Sequence, residues 1–187
     1  MTWPAFHRAI HWAVFACVLA LIPVGLIIEG YERETVAAVD AALGKGAFNT
    51  LYDLHKSLGL TVLALMIVRV ISRATRPAPA YAPPLRPFEK TVSGLVHLGL
   101  YALLFLVPIV GWIGVSAYPA PVPVFFLFNA KLPMEADRAL SERLLHDVHG
   151  PLAILLLILA LAHVGAALKH RFVDRDGAWE RMVPPKS

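Results

Sequence analysis

Four long apolar blocks limit what this chain can fold into more than any other feature. They run from about Trp12 to Ile28, Leu58 to Ile71, Leu95 to Val115 and Leu152 to Leu168. With their amphipathic ends each reaches roughly 20 residues, the length of helix that crosses a hydrocarbon core about 30 Å thick. The second needs its flanks, Leu51–Lys56 and Ser72–Arg73, to make the distance. In lipid every backbone N–H and C=O has to be paired, so isolated blocks of this length fold as helices. Against the roughly 45–50% typical of soluble domains, 58% of this chain is hydrophobic, and the excess lies in these blocks. The expected fold class is all-α: an integral membrane four-helix bundle forming one domain over residues 1–187. Its spans fall at approximately 8–29, 51–73, 91–116 and 146–170. The first block is too long for a signal peptide, and Glu29-Gly30-Tyr31-Glu32 is a poor cleavage site.

A net charge of +4 suggests a nucleic-acid partner until its distribution is read. Arg8 gives the N-terminal segment +1. Arg69, Arg73, Arg76, Arg86 and Lys90, against Glu89, give the second-to-third connection +4. Lys169, Arg171, Arg175, Arg181 and Lys186, against Asp174, Asp176 and Glu180, give the tail +2. The other two connections, Glu29 to Lys56 and Lys131 to Asp147, carry −2 and −1. All the positive excess falls on one side of a four-span topology, so the positive-inside rule places both termini in the cytoplasm. The basicity reflects orientation in a lipid bilayer; no nucleic-acid partner is expected.

The connections have distinct compositions. Arg76–Pro87 (RPAPAYAPPLRP) is too proline-rich for a helix and should be a stiff extended strap. The first external loop predicts a short amphipathic helix near Thr35–Leu43, ended by Gly44. The second, SAYPAPVPVFFLFNAKLP, is apolar and studded with proline, and should lie in the interface or fold over the bundle as a lid. Pro23 and Pro108 fall inside spans and should kink them. The single cysteine, Cys17, excludes an intrachain disulfide and a C-x-x-C-H attachment site, and reads as a small buried apolar residue.

Eight histidines stand against this apolar background: His7, His11, His55, His97, His146, His149, His163 and His170. An imidazole in hydrocarbon needs a partner. His149 and His163 are 14 residues apart on the fourth span. That is roughly 21 Å along a helix, with the two side chains within about 40° of each other around it. They look out of one face at two levels. The alternating direction of the spans puts His55 at the external level with His149, and His11 at the cytoplasmic level with His163. Zinc would want a compact tetrahedron of His, Cys or carboxylate. Two imidazoles per level, with no thiol and few acids beyond Asp53 and Asp147, suit the axial positions of a porphyrin iron better. Gly59, Gly150, Gly165 and Ala166 offer room for a macrocycle, although small residues also serve plain helix packing.

Alternatives remain at each level. His97 competes with His11. His146 competes with His149, but sits about 60° around the helix from it and about 100° from His163. His7 reads as a solvated end residue. His170 lies about 10 Å beyond His163 on nearly the same face, too far to share an iron. It is placed to meet a propionate or a quinone head group, or simply ends the helix at the interface. Arg69, Arg73, Lys90, Lys169 and Arg171 crowd the same surface. Snorkelling explains most of them, and one or two are expected to pair with propionates.

The pieces FHRAIHWAVF, DLHKSLGLTVLALMIVRVISR, GLVHLGLYALLFLVPIVGW and DVHGPLAILLLILALAHVGAALKHRFVDRDGAWERMVP together resemble the bacterial cytochrome b561 family. That family is related to the membrane cytochrome b subunits of nickel–iron hydrogenases and formate dehydrogenases. The resemblance covers nearly the whole chain in order. It implies a single transmembrane di-haem cytochrome b domain in a bacterial inner membrane, with two haem b groups held by the first, second and fourth spans. Carried over by position, His11 and His163 hold the cytoplasmic haem, and His55 and His149 the external one. His97 then leaves the ligand set and joins His170, Arg69, Arg73 and Lys90 as a quinone or propionate candidate. His146 is an additional histidine outside this pattern.

The resemblance further implies electron exchange between the periplasmic face and the quinone pool. Free-standing members resemble a superoxide:ubiquinone oxidoreductase, with ubiquinone as electron acceptor. Outer-sphere oxidation of superoxide needs close approach rather than an open iron site, and a cationic mouth speeds it. Lys56, His146, Arg138 and Arg143 are the approach candidates, set against net negative external loops. The rival expectation is an electron relay between quinone and a periplasmic redox protein, with no substrate reaction of its own. A haem-bearing assembly subunit is a third.

Overall fold

The computed structural model describes residues 2–29, 32–75, 78–81 and 84–183. Parts of the proline-rich strap, residues 76–77 and 82–83, lie outside them. The described remainder of Arg76–Pro87 is non-helical up to the start of the next helix.

The four apolar blocks form α1 (Ala5–Glu29), α3 (Ala47–Ala74), α4 (Pro87–Ala117) and the helix centred on α6 (Gly150–Lys169). All four are long and apolar enough to span a membrane. The starts fall earlier than the composition implied, for local reasons. Pro87 occupies the first turn of α4, where its missing N–H costs nothing. Asp137 caps α5 (Arg138–Glu142) by accepting the Leu140 N–H at 2.9 Å. α5 then runs through a π-helical stretch, Arg143–His149, directly into α6. Pro151 accounts for the π stretch. It donates no N–H, and its ring crowds the carbonyl four residues back, so the turn before it widens. A second π turn, His170–Asp174, ends the helix.

The predicted loop helix is α2 (Arg33–Leu43), stopped by Gly44 at φ 105°. Its Asp40 carboxylate accepts the Gly46 and Phe48 amides, each at 3.0 Å, and so satisfies first-turn donors of α3.

α1 packs along α3, α3 along α4, and α4 along α6. Ile10 and Val14 meet Val62 and Met66 in a buried apolar cluster, with Cys17 against its edge. α6 stands off from α1 and α3 and has no fully buried residue. The outward faces are apolar, as lipid requires.

The second external loop does fold over the bundle. β1 (Pro123–Val124) pairs antiparallel with β2 (Phe128–Asn129) in a small hairpin. Buried Ser57 of α3 accepts the Phe125 N–H at 2.8 Å. Trp112 of α4 donates its indole N–H to the Ala130 carbonyl at 2.7 Å. At the opposite end the termini meet, with the Trp3 N–H on the Arg181 carbonyl at 2.9 Å. The bundle thus has a hairpin end and a terminus-bearing end.

Candidate functional site: two histidine pairs

Helix direction brings the four spaced histidines together in the pairs their depth suggested. At the hairpin end the ring centroids of His55 (α3) and His149 lie 6.3 Å apart. At the terminus-bearing end those of His11 (α1) and His163 (α6) lie 6.2 Å apart. Consider an iron held between two trans imidazoles. With metal–nitrogen bonds of about 2.0–2.1 Å and ring nitrogens about 1.1 Å from their centroids, the centroids stand about 6.3 Å apart. Both pairs match that separation, each joining α6 or the turn before it to α1 or α3.

The hydrogen bonding is consistent with ligation. His149 Nδ1 is 2.9 Å from the Val107 carbonyl, which can only accept, so Nδ1 carries the proton and Nε2 is left bare. His11 Nδ1 and His55 Nδ1 are buried with no partner, a state that nothing polar in the described chain relieves. Arg69 completes the set. Its Nε donates to the Tyr101 hydroxyl at 3.1 Å, while its Nη1 is buried without a partner, as expected of a guanidinium that meets a propionate. The residues present therefore fit a bis-imidazole haem at each level.

Glycine provides the room, but not the glycines expected. A Cβ on Gly111 of α4 would come within 2.8 Å of the His149 ring, and one on Gly25 of α1 within 3.3 Å of the His55 ring. These two seat the imidazoles from neighbouring helices. Gly59 and Gly165 adjoin open space, and Gly150 lies beneath the Glu29 carboxylate.

The remaining candidates divide sharply. His97 lies 5.1 Å from His163, centroid to centroid, too close for the two to be trans ligands of one iron. Its Nδ1 is 3.2 Å from the Ser93 hydroxyl. His146 is thrown outward by the π turn, and its Nδ1 is 3.7 Å from Glu29. His170 Nδ1 faces the carboxylates of Asp176 at 2.7 Å and Asp174 at 3.3 Å. Arg73 stacks over Trp3 at 5.0 Å, and Lys90 is exposed on the first turn of α4. Lys56 is not an open cation: it is largely buried, paired with Asp53 at 2.7 Å and set over the Tyr52 ring. Arg138 covers Tyr118, and Arg143 is exposed. His7 is not solvated. It is 6% exposed, stacked on Trp3 at 5.1 Å and next to the Ser72 hydroxyl, because the two termini close over the end of α1.

The prokaryotic cytochrome b561 family matches residues 2–185, nearly the whole chain. This chain belongs to that family. As a b561-type protein it is a membrane cytochrome b that transfers electrons in a bacterial inner membrane. It is 30% identical to cytochrome b561 homolog 2 of Escherichia coli over 179 residues, covering 96% of this chain and 89% of the relative. It is 28% identical to cytochrome b562 of Cereibacter sphaeroides over 190 residues, 98% of each. It is 29% identical to the probable superoxide oxidase CybB of Yersinia pestis over 138 residues, 71% of this chain and 74% of that one.

Proposed function

We propose that the protein holds two haem b groups, one between His55 and His149 and one between His11 and His163. Electrons enter at the hairpin end, facing the periplasm, and leave at the terminus-bearing end, facing the cytoplasm. The finer reading is oxidation of superoxide to dioxygen outside and reduction of ubiquinone inside, two superoxides and two protons per quinol. The carrying observation is the pair of ring separations, 6.3 and 6.2 Å, at two levels of one bundle. Haem b, held by these histidines, would supply a one-electron iron couple. The chain's part is to hold each imidazole in place. The Val107 carbonyl fixes the His149 tautomer, Gly25 and Gly111 set ring position, and Arg69 offers a cation to a buried carboxylate. The likeness to a relative named probable superoxide oxidase supports the finer reading, as does exposed Arg143 at the hairpin end.

The relay reading keeps one specific observation in its favour. With Lys56 neutralised by Asp53, and Glu29 beside His146, the hairpin end is poorly arranged to attract an anion. That suits docking of a periplasmic redox protein.

Ligation is tested by replacing His149 and, separately, His163 with Ala and measuring haem per protein; each variant should lose one haem. Retention of both in either variant would falsify the pairing. Stopped-flow mixing of the oxidised protein with superoxide separates the two readings. Haem reduction at a near-diffusional rate is expected, and its absence leaves the relay.

A further inference from the structure

We infer that the tip of the hairpin, Phe125–Phe128, is a lipid anchor that inserts sideways into the bilayer leaflet at the hairpin end. The inference needs neither the haem pairing nor the direction of electron flow.

Phe125, Phe126, Leu127 and Phe128 are 41, 62, 81 and 60% exposed, four large apolar side chains in succession. Water-facing surfaces rarely carry such a patch bare. The residues just before it face the other way. Val122 and Val124 are buried, and β1 packs on α3. The loop is therefore held to the bundle without help from its tip.

The backbone is specialised for this display. The Leu127 N–H closes a turn on the Val124 carbonyl at 2.9 Å, and the two central residues, Phe125 and Phe126, have φ of 46° and 62°. Hairpin turns with two left-handed residues usually take Asn-Gly or Asp-Gly, because a Cβ makes that backbone costly. Two phenylalanines occupy it here. Holding two rings outward on strained backbone is unfavourable in water and becomes favourable where lipid receives them.

Depth places lipid beside the tip. The Phe125 N–H is bonded to Ser57 of α3, and Ser57 lies about 9 Å inside the second span, counted from Leu51. The returning strand is held at Ala130 by Trp112 of α4, about 6 Å inside the third span, counted from Ser116. Both tethers thus lie within the bilayer near its boundary, where rings and leucines of interfacial segments bury themselves. Charge agrees independently. From Thr91 through Ala130 the chain has no Asp, Glu, Lys or Arg, so the uncharged stretch of the third span continues through the whole hairpin. Lys131, which ends it, turns its Nζ back onto the Tyr118 carbonyl at 2.8 Å. A soluble partner would leave the tip bare in water whenever it departed, whereas the bilayer covers it from the moment the bundle inserts.

The test uses haem-loaded protein in phosphatidylethanolamine–phosphatidylglycerol vesicles, with Cys17→Ala as a parent free of cysteine. Leu127→Cys marks the tip, and Glu135→Cys marks an exposed position on the same loop. A sulfonated, membrane-impermeant maleimide should modify Leu127→Cys at least tenfold more slowly than Glu135→Cys, and the two rates should become equal in denaturant. In vesicles doped with a phosphatidylcholine bearing an acyl-chain diazirine, light should attach lipid to residues 125–128 of the parent. If Leu127→Cys reacts as fast as Glu135→Cys, the tip stands in water and the anchor is refuted. If it reacts slowly but no lipid is attached at 125–128, protein covers the tip and the lipid assignment is equally lost; oxidation of Leu127→Cys to a disulfide-linked dimer would then identify the cover as a second copy.

Discussion

The two histidine pairs have nearly the same ring separation, 6.3 and 6.2 Å, in different surroundings. At the hairpin end, polypeptide covers the bundle. Ser57, two residues after His55, holds the hairpin down, Trp112 holds its far strand, and Gly25 and Gly111 leave just enough room for the rings. At the terminus-bearing end a third histidine crowds His163, half-buried Arg69 has an Nη1 without a partner, and a shallow apolar depression lies between α1 and α3. One level lies under a tethered hairpin; the other lies beneath the meeting termini.

The sharpest way to break the comparison is at the glycine seats. Gly111→Val places bulk where a Cβ already falls within 2.8 Å of the His149 ring. Overpacking of this kind costs about 1–3 kcal/mol. Haem stoichiometry should fall to one, with the His11–His163 haem retained; two haems in this variant would mean the seat is soft. Gly25→Val should do less, from its 3.3 Å approach to His55.

At the other level Arg69→Met keeps length and removes charge. Losing a charged hydrogen bond costs about 1.5–3 kcal/mol, so haem at this level should dissociate roughly 10–100-fold more readily. Competition for haem by apomyoglobin measures it, and equal loss from both levels would separate Arg69 from the propionate role. Ser57→Ala strips the Phe125 amide of its acceptor, at a cost of about 1–3 kcal/mol. The hairpin should then be cut faster by protease between residues 122 and 130, with haem content unchanged.

The smallest effect concerns Asp40. The Phe48 and Gly46 amides hold its carboxyl below the ordinary value. A lowered folded-state value means this contribution is complete above the ordinary carboxylate range and is lost as pH falls through the folded value. Exchange of the Gly46 and Phe48 amides should therefore quicken only in strong acid, and Asp40→Asn should show the quick exchange at neutral pH.

The spans, and the proximity of His55 to His149 and of His11 to His163, were legible because both depend on quantities a sequence carries directly, apolar length and helical phase. Fourteen residues put His149 and His163 on one face wherever the helix lies. The seats at Gly25 and Gly111 were not legible, since they depend on which helix lies across from each ring. His7 misled for a related reason. Its position near the chain end suggests solvent, whereas Trp3 and the returning tail bury it. Lys56 counts as a cation by composition, yet Asp53, one turn earlier, neutralises it, and that i,i+3 pairing was available from spacing alone. Pro151 was the visible signal for the π turn, and with it for the outward throw of His146.

That π turn also changes how the chain tolerates length changes. It already holds a surplus residue, so deleting one position between Arg143 and Val148 restores ordinary helix and leaves everything after Gly150 in phase. The same deletion between Leu152 and Ala162 would rotate His149 about 100° away from His163 and uncouple the two levels. A scan of single-residue deletions along this helix would therefore be nearly silent at its start and abruptly destructive two turns later, marking the segment whose length the protein has to count.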